Sequence, residues 1–226
     1  HDLMLDILAD MLPNKYKNMY LSSSHVGSLA GLMALKRGEA HMAPIHLLDE
    51  ESGIYNIPMI KKLFTGGCRQ MALIKGVKRV QGFIVPKGNP ENIFAMSDVA
   101  RCRYINRQSG AGTRVLFDYL LRKNGISYEQ VNGYDKEAAT HMAVAALVQS
   151  GAVDCGMGIE SAARAMDLDF VPVGFEEYDF AIEQNNLDLP HVKAFIDVLK
   201  SEDFKQKVMR LGGYEFSACG EIVSVS

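Results

Sequence analysis

Apolar residues fall at helical spacing in several stretches of the chain, and between them stand short runs rich in strand-forming residues. Leu3, Ile7, Leu8 and Met11 lie on one helical face behind Asp2, which is placed as N-cap, and Pro13 is expected to end that helix. Residues 20–22 read as a short strand and 23–28 as a serine-rich turn. A helix follows, carrying Leu29, Leu32, Met33 and Leu35. A short apolar strand around Pro44 and a brief helix or turn at 59–64 come next. Two separate β-rich runs, 71–75 and 81–85, are closed by a turn between Pro86 and Pro90. A helical piece at 97–100 leads to a strand at 103–106, a small polar turn, and a helix bearing Val115, Leu116, Tyr119 and Leu120. Further on, a helix over 139–149 stops at Gly151, a strand follows at 152–157, and another helix spans 159–166. Extended runs at 170–173 and 178–183 precede two last helices, 191–200 and 202–211.

Such alternation predicts a doubly wound α/β protein, in which ligands sit at the carboxyl ends of strands. The extended runs near 81–85 and 175–183 are candidate crossings between two lobes. One lobe is expected from residues 1–79 plus 186–226, the other from 80–185.

Composition narrows the function. With 48% hydrophobic and 23% charged residues, 226 residues can bury a full core in one large or two small domains. A formal net charge of −3 and a pI near 6.1 supply no basic footprint, so direct nucleic-acid binding is not expected. No apolar run is long enough to span a bilayer, and the acidic amphipathic opening is unlike a secretory signal. The start at His1, without methionine and already at a helix, implies an upstream segment. Cys68, Cys102, Cys155 and Cys219 are scattered without a CxxC pair, which favours buried, reduced, structural thiols and a reducing compartment. The 12 Met residues fall singly on apolar faces and read as core filling.

The stretch RYINRQSGAGTRVLFDYLLRKNG, 103–125, carries the clearest chemistry: strand, glycine-rich turn and amphipathic helix in succession. A helix start aims unpaired backbone N–H groups and the positive dipole end at the turn, which suits an anion. Ser109 or Thr113 is placed to cap the helix, Arg107 to supply the main charge, and Arg114 to point outward. An ordinary strand-to-helix connection is the alternative. No Lys follows the last glycine, as a P-loop needs, and Val115 stands where a dinucleotide fingerprint needs glycine, so a compact anion fits better than a nucleotide. SSSHVGSLAGLM repeats the device, with Ser23, Ser24 and Ser28 as hydroxyl donors. His41 and His46 flank Pro44 and lack the one-face helical spacing of a zinc site, so no metal site is expected; His46 reads as a cleft donor or a half-buried polar residue. Gly156 and Gly158 read either as a close approach to a ligand or as a tight turn.

HDLMLDILADML, VGSLAGLMALKRGEAHMAPIHLLD, YINRQSGAGTRVLFDYLL, THMAVAALVQSGAVDCGMGIESAA and LDFVPVGFEEYDFAI together resemble the PBP-like domain family, of the type II periplasmic-binding-protein fold. The resemblance covers nearly the whole chain. It implies a two-lobed α/β fold with a ligand cleft between lobes, and a likeness to molybdate- and tungstate-binding proteins. Matching positions are His1, Asp2, Ser23, Ser24, Ser28, His46, Arg107, Ser109, Gly112 and Thr113. The family's first strand and turn would precede His1. The implied function is non-catalytic binding of a tetrahedral oxyanion, molybdate or tungstate first, with no cofactor. The implied setting is a cytoplasmic sensor joined to a DNA-binding or molybdopterin-biosynthesis module. A transporter's solute receptor outside the cytoplasm is the alternative setting. The competing class is an enzyme of molybdenum-cofactor assembly using Asp2, His46 or Glu160 as acid or base, but no GxSxG, HExxH or carboxylate dyad supports it.

Overall fold

The computed structural model describes residues 2–24, 26–66 and 69–225, so His1 and Cys68 lie outside the described residues. The chain forms two units: His1–Asp49 with Ile54–Lys78 and Glu177–Ser226, and Glu50–Gly53 with Arg79–Glu176. The return to the first unit falls at Glu176/Glu177, inside a strand. The expectation took the extended run near 175–183 as the crossing and put the boundary after it, at 185/186.

In unit one, α1 (Leu3–Lys15) starts behind Asp2, whose Oδ1 accepts the Met4 N–H at 2.8 Å. The helix runs through Pro13 rather than stopping at it. The lost N–H removes one bond near the helix end, and burial of Leu8, Met11 and Leu12 holds the turn in place. The expected strand at 20–22 is absent: Tyr20 and Ser22 to Ser24 are exposed coil without ladder partners. α2 (Ser28–Arg37), β1 (Met42–Ile45) and α3 (Ile57–Phe64) follow.

Two strands of fifteen residues, β2 (Met71–Val85) and β6 (Asp169–Glu183), each contribute one segment to unit one and one to unit two. The expectation split each into two runs. The intervening residues remain extended in part because Gly76 has no Cβ: one there would lie 2.1 Å from the Tyr178 carbonyl oxygen. In unit one, β1 pairs antiparallel with residues 179–182 of β6, and β8 (Ile222–Val225) antiparallel with 71–74 of β2. Strand alternation then fills two cores. Ala72, Ile74, Phe180 and Ile182 meet α1 and the last helices, α7 (Pro190–Lys200) and α8 (Glu202–Met209), while Met71, Leu73 and Ala181 meet Leu32, Leu35 and Ile60 of α2 and α3.

In unit two, residues 81–84 of β2 pair antiparallel with β5 (Cys155–Ile159), β5 runs parallel to β3 (Tyr104–Arg107), and β3 parallel to β4 (Glu137–Ala138). α5 (His141–Gln149) and α6 (Glu160–Ala165) cover one face through Val144, Ala145, Val148, Ala162 and Ala163, packed on Ile84 and Ile105. α4 (Gly112–Lys123) contributes Phe117, stacked on Tyr104 at 4.5 Å. Gly156 lies within β5, in neither of the roles expected for it. A Cβ there would meet Ile105 and Val144 side chains at 2.6 Å, so glycine lets α5 approach the sheet. Cys102 and Cys155 are free buried thiols with sulfurs 3.0 Å apart, and Cys219 is a half-buried free thiol. Among the described residues no helix is long and apolar enough to cross a membrane.

Beside those thiols, the Arg103 guanidinium binds Asp154 at 2.6 Å and the Arg103 backbone N–H binds the same carboxylate at 2.7 Å. The Arg103 side chain, with burial opposing it and the backbone bond assisting, holds Asp154 below the ordinary carboxylate range. A carboxylate depressed on folding adds stability that is present above its unfolded pKa and lost as pH falls through its folded value. Asp154→Asn is therefore expected to lower neutral-pH stability by about 1 kcal/mol or less, the scale of a partly exposed pair, and to flatten part of the acid loss below about pH 4. Denaturant titrations of both proteins across pH 2–7 check this; parallel curves would refute it.

Candidate functional site

The glycine-rich turn leaves β3 at Arg107 and enters α4 behind Ala111, which has no side chain to cap the helix. Neither Ser109 nor Thr113 caps it, contrary to expectation. Gly110 turns the chain at φ +81° and leaves Ser109 exposed, its N–H on Glu137 Oε1 at 3.2 Å. Thr113 is already inside the helix, and its buried hydroxyl donates to Gln81 Oε1 at 2.9 Å. The first N–H groups of α4, those of Gly112 and Thr113 among them, therefore face the turn without intrahelical acceptors.

Arg107 is half-buried at this turn. Its Nε donates to the Ala138 carbonyl at 3.3 Å, Nη2 to the Ala139 carbonyl at 3.1 Å, and Nη1 approaches His141 Nδ1 at 2.9 Å. Burial lowers its pKa, Glu176 opposes that and Arg79 adds to it; a guanidinium so shifted is still a cation. A guanidinium has five N–H donors. The three contacts named use one on each nitrogen and leave one on each terminal nitrogen.

Arg114 does not point outward. Only 13% of its side chain is exposed; it binds Asp118 at 3.1 Å, lies 4.1 Å over the Tyr134 ring, and donates to the Arg107 carbonyl at 3.3 Å. It is committed to the wall of the turn. Behind Thr113 runs a buried relay: Gln81 Nε2 donates to Glu176 Oε2 at 2.9 Å, and Arg79 donates to the same oxygen at 2.5 Å.

In unit one, Ser28 is the first residue of α2, and its Oγ accepts the His46 N–H at 3.2 Å, leaving the hydroxyl proton to donate. Ser23 and Ser24 lie exposed ahead of that helix. The His46 ring stacks on Tyr178 at 5.4 Å. Asp2 is engaged within the fold: its carboxylate caps α1 and accepts the Tyr214 hydroxyl at 3.1 Å. Glu160, the third acid or base of the enzyme alternative, pairs with Arg164 at 2.5 Å on its own helix. Among the described residues no group of three or more His, Cys, Asp or Glu is arranged to hold a metal ion.

The structure thus gathers Arg107, Ser109, Gly112 and Thr113 in unit two, and Ser28 and His46 in unit one. Sequence reasoning missed His141, Gln81, Arg79 and Glu176. A signal existed for two of them: Thr140 and His141 open a further strand-to-helix turn, and Gln81 is a lone polar residue in a strongly apolar run.

Two units of sheet and helix, each with a helix that starts without a side-chain cap, α2 behind Gly27 and α4 behind Ala111, define an α/β class of the periplasmic-binding-protein type. The chain belongs to the family of PBP superfamily domains, whose model matches residues 9–200. It is 37% identical over 224 residues to the protein YvgK of Bacillus subtilis (strain 168), covering 98% of this chain and 71% of YvgK. Two solved structures share the α/β type II periplasmic-binding-protein-like fold. One is a putative phosphate ABC transporter substrate-binding protein with bound phosphate from Clostridium perfringens, at 15% identity, TM-score 0.67, covering 92% of this chain and 93% of that one. The other is the substrate-binding domain of a putative molybdenum ABC transporter from Clostridium difficile, at 15% identity, TM-score 0.66, covering 94% and 93%.

Gln81→Leu would leave the buried Thr113 hydroxyl and Glu176 each short of a partner. It is expected to destabilise the protein by about 1–3 kcal/mol. Denaturant midpoints check this, and a variant as stable as the parent would show the relay to be dispensable.

Proposed function

We propose that this chain is a non-catalytic receptor module for a small tetrahedral oxyanion, molybdate or tungstate first, gripped in unit two by Arg107 and the start of α4. The observation that carries the reading is the Arg107 guanidinium, half-buried and fixed by three contacts, with two N–H donors remaining, at the end of the strand whose glycine turn leads into the uncapped start of α4. Charge-assisted bonds from a planar fork suit an oxyanion's oxygens, and backbone N–H groups add donors without adding protons to be moved. The two solved structures of like fold, a putative phosphate receptor with bound phosphate and a substrate-binding domain of a putative molybdenum transporter, support an anion of this shape. Within unit one, Ser28 is proposed as a neutral donor at the start of α2, with Ser23 and Ser24 ahead of it. Binding needs no nucleophile, and the acids and bases considered for an enzyme, Asp2 and Glu160, are engaged in structural bonds.

The module is further proposed to be the sensor part of a larger cytoplasmic protein carrying a DNA-binding or molybdopterin-biosynthesis module. The support is that the match covers 71% of YvgK, so that relative extends beyond the shared region.

Titration calorimetry with molybdate, tungstate, sulfate and phosphate tests the ligand class. Arg107→Ala is expected to weaken binding by about 2–4 kcal/mol while leaving the fold intact, the scale of truncating one partner of a buried charge pair. Ser28→Ala is expected to cost about 1 kcal/mol, one neutral hydrogen bond. A folded Arg107→Ala protein with parental affinity would remove the site assignment, and turnover without stoichiometric binding would favour the enzyme.

A further inference from the structure

Three acceptors from one short segment hold Arg107: the carbonyls of Ala138 and Ala139, and the ring of His141. The carbonyls take Nε and Nη2, and His141 takes the remaining nitrogen, Nη1. Only with all three is every nitrogen of the guanidinium tied.

We propose that His141 is a positioning residue for Arg107, acting as the neutral tautomer with its proton on Nε2, and that it sets the orientation in which Arg107 grips the ligand. This inference rests on the oxyanion reading above. The tautomer follows from the donor inventory. A guanidinium carries no acceptor, so a nitrogen–nitrogen contact of 2.9 Å requires an unprotonated Nδ1. An imidazolium would bring a second cation to hydrogen-bond distance of the first and offer it no lone pair.

The fold fixes the imidazole from its other sides. His141 is the first residue of α5, directly behind Thr140, whose Oγ1 accepts the Ala143 N–H at 3.0 Å. Gly158 of β5 lies next to the ring: a Cβ there would clash with Ile84 Cδ1 at 2.8 Å and would reach ordinary contact distance, 3.4 Å, from His141 Nδ1. Gly158 is thus a strand residue rather than a turn glycine, and the space its missing side chain leaves is taken by Ile84, with the His141 ring alongside. Because His141 opens a capped helix and lies next to the strand, its backbone is anchored where Nδ1 can serve Arg107 as acceptor.

The test combines molybdate calorimetry on the parent protein, His141→Ala and His141→Asn with two-bond nitrogen–proton NMR of the parent. The NMR spectrum is expected to show His141 protonated at Nε2 and bare at Nδ1. His141→Ala is expected to lose about tenfold or more in molybdate affinity, the effect of one hydrogen bond to a charged group. His141→Asn is expected to recover most of that affinity, because its Oδ1 stands where Nδ1 accepts. A merely structural role would move the melting temperatures of both variants and leave the affinity of the folded protein alone. Parental molybdate affinity in folded His141→Ala, or a proton on Nδ1, would overturn the inference. A parent protein that takes none of the four oxyanions would overturn the functional reading instead, with the NMR result then judging the Arg107–His141 contact by itself.

Discussion

A guanidinium drawn half out of water keeps its charge only if the protein supplies acceptors in place of the water it lost. Arg107 meets that constraint with two backbone carbonyls and one imidazole nitrogen, all from the segment joining β4 to α5. Much of unit two follows from the need to bring that segment to the end of β3. β4 pairs parallel with β3 so that Ala138 stands beside Arg107, and Thr140 starts α5 where His141 can turn back on it. The narrow glycine strand β5 lets α5 pack closely enough for both.

The same physics governs the charges buried along β2 and β6, solved separately in each unit. In unit two Arg79 and Glu176 form a buried pair, and Gln81 extends it to Thr113. In unit one burial alone would pull Lys75 down. Asp179 and Glu177, at 2.7 and 2.6 Å, outweigh burial and hold its pKa above the ordinary lysine value. Asn56 then donates to Asp179 at 2.8 Å, and the Gly76 N–H to the same carboxylate at 3.0 Å. Buried ion pairs contribute little net stability once desolvation is counted, but breaking one costs a great deal. Their effect here is to fix register: a slip of one residue in either strand would strand a charge in the core.

Legibility in the sequence followed the range of the interactions. The helices were readable because their periodicity is local, and Asp2 could be recognised as a cap because its acceptor role spans two residues. The strand–turn–helix at Arg107 was readable for the same reason. What failed were features decided by partners far along the chain. β2 and β6 are expected as two runs each, and the charges between the runs, Arg79 and Glu176 among them, become strand residues because they pair with each other in the folded protein. Thr113 was read as a cap or ligand donor because its acceptor, Gln81, lies 32 residues upstream. Residues 20–22 met strand propensity, but propensity without a pairing partner does not make a strand.

The two arginines of the central turn show how tertiary partners divide like residues into different tasks. Both are cations within one helix turn of the same glycine loop, and either satisfies a reading based on charge alone. Arg114 meets Asp118 and Glu137 and covers Tyr134, so its charge is answered inside the protein and its planar face is already stacked. Arg107 meets only neutral acceptors in its hydrogen bonds, which orient a cation without neutralising it. Glu176 raises its pKa while Arg79 lowers it, and those two residues are themselves paired, so neither supplies a dedicated counterion. A positive charge that is oriented, half-desolvated and left without its own carboxylate attracts an anion more strongly than an exposed one, because less solvent screens it. The difference between Arg114, committed to the fold, and Arg107, the arginine proposed to bind, therefore lies in the partners: carboxylates for Arg114, carbonyls and an imidazole nitrogen for Arg107.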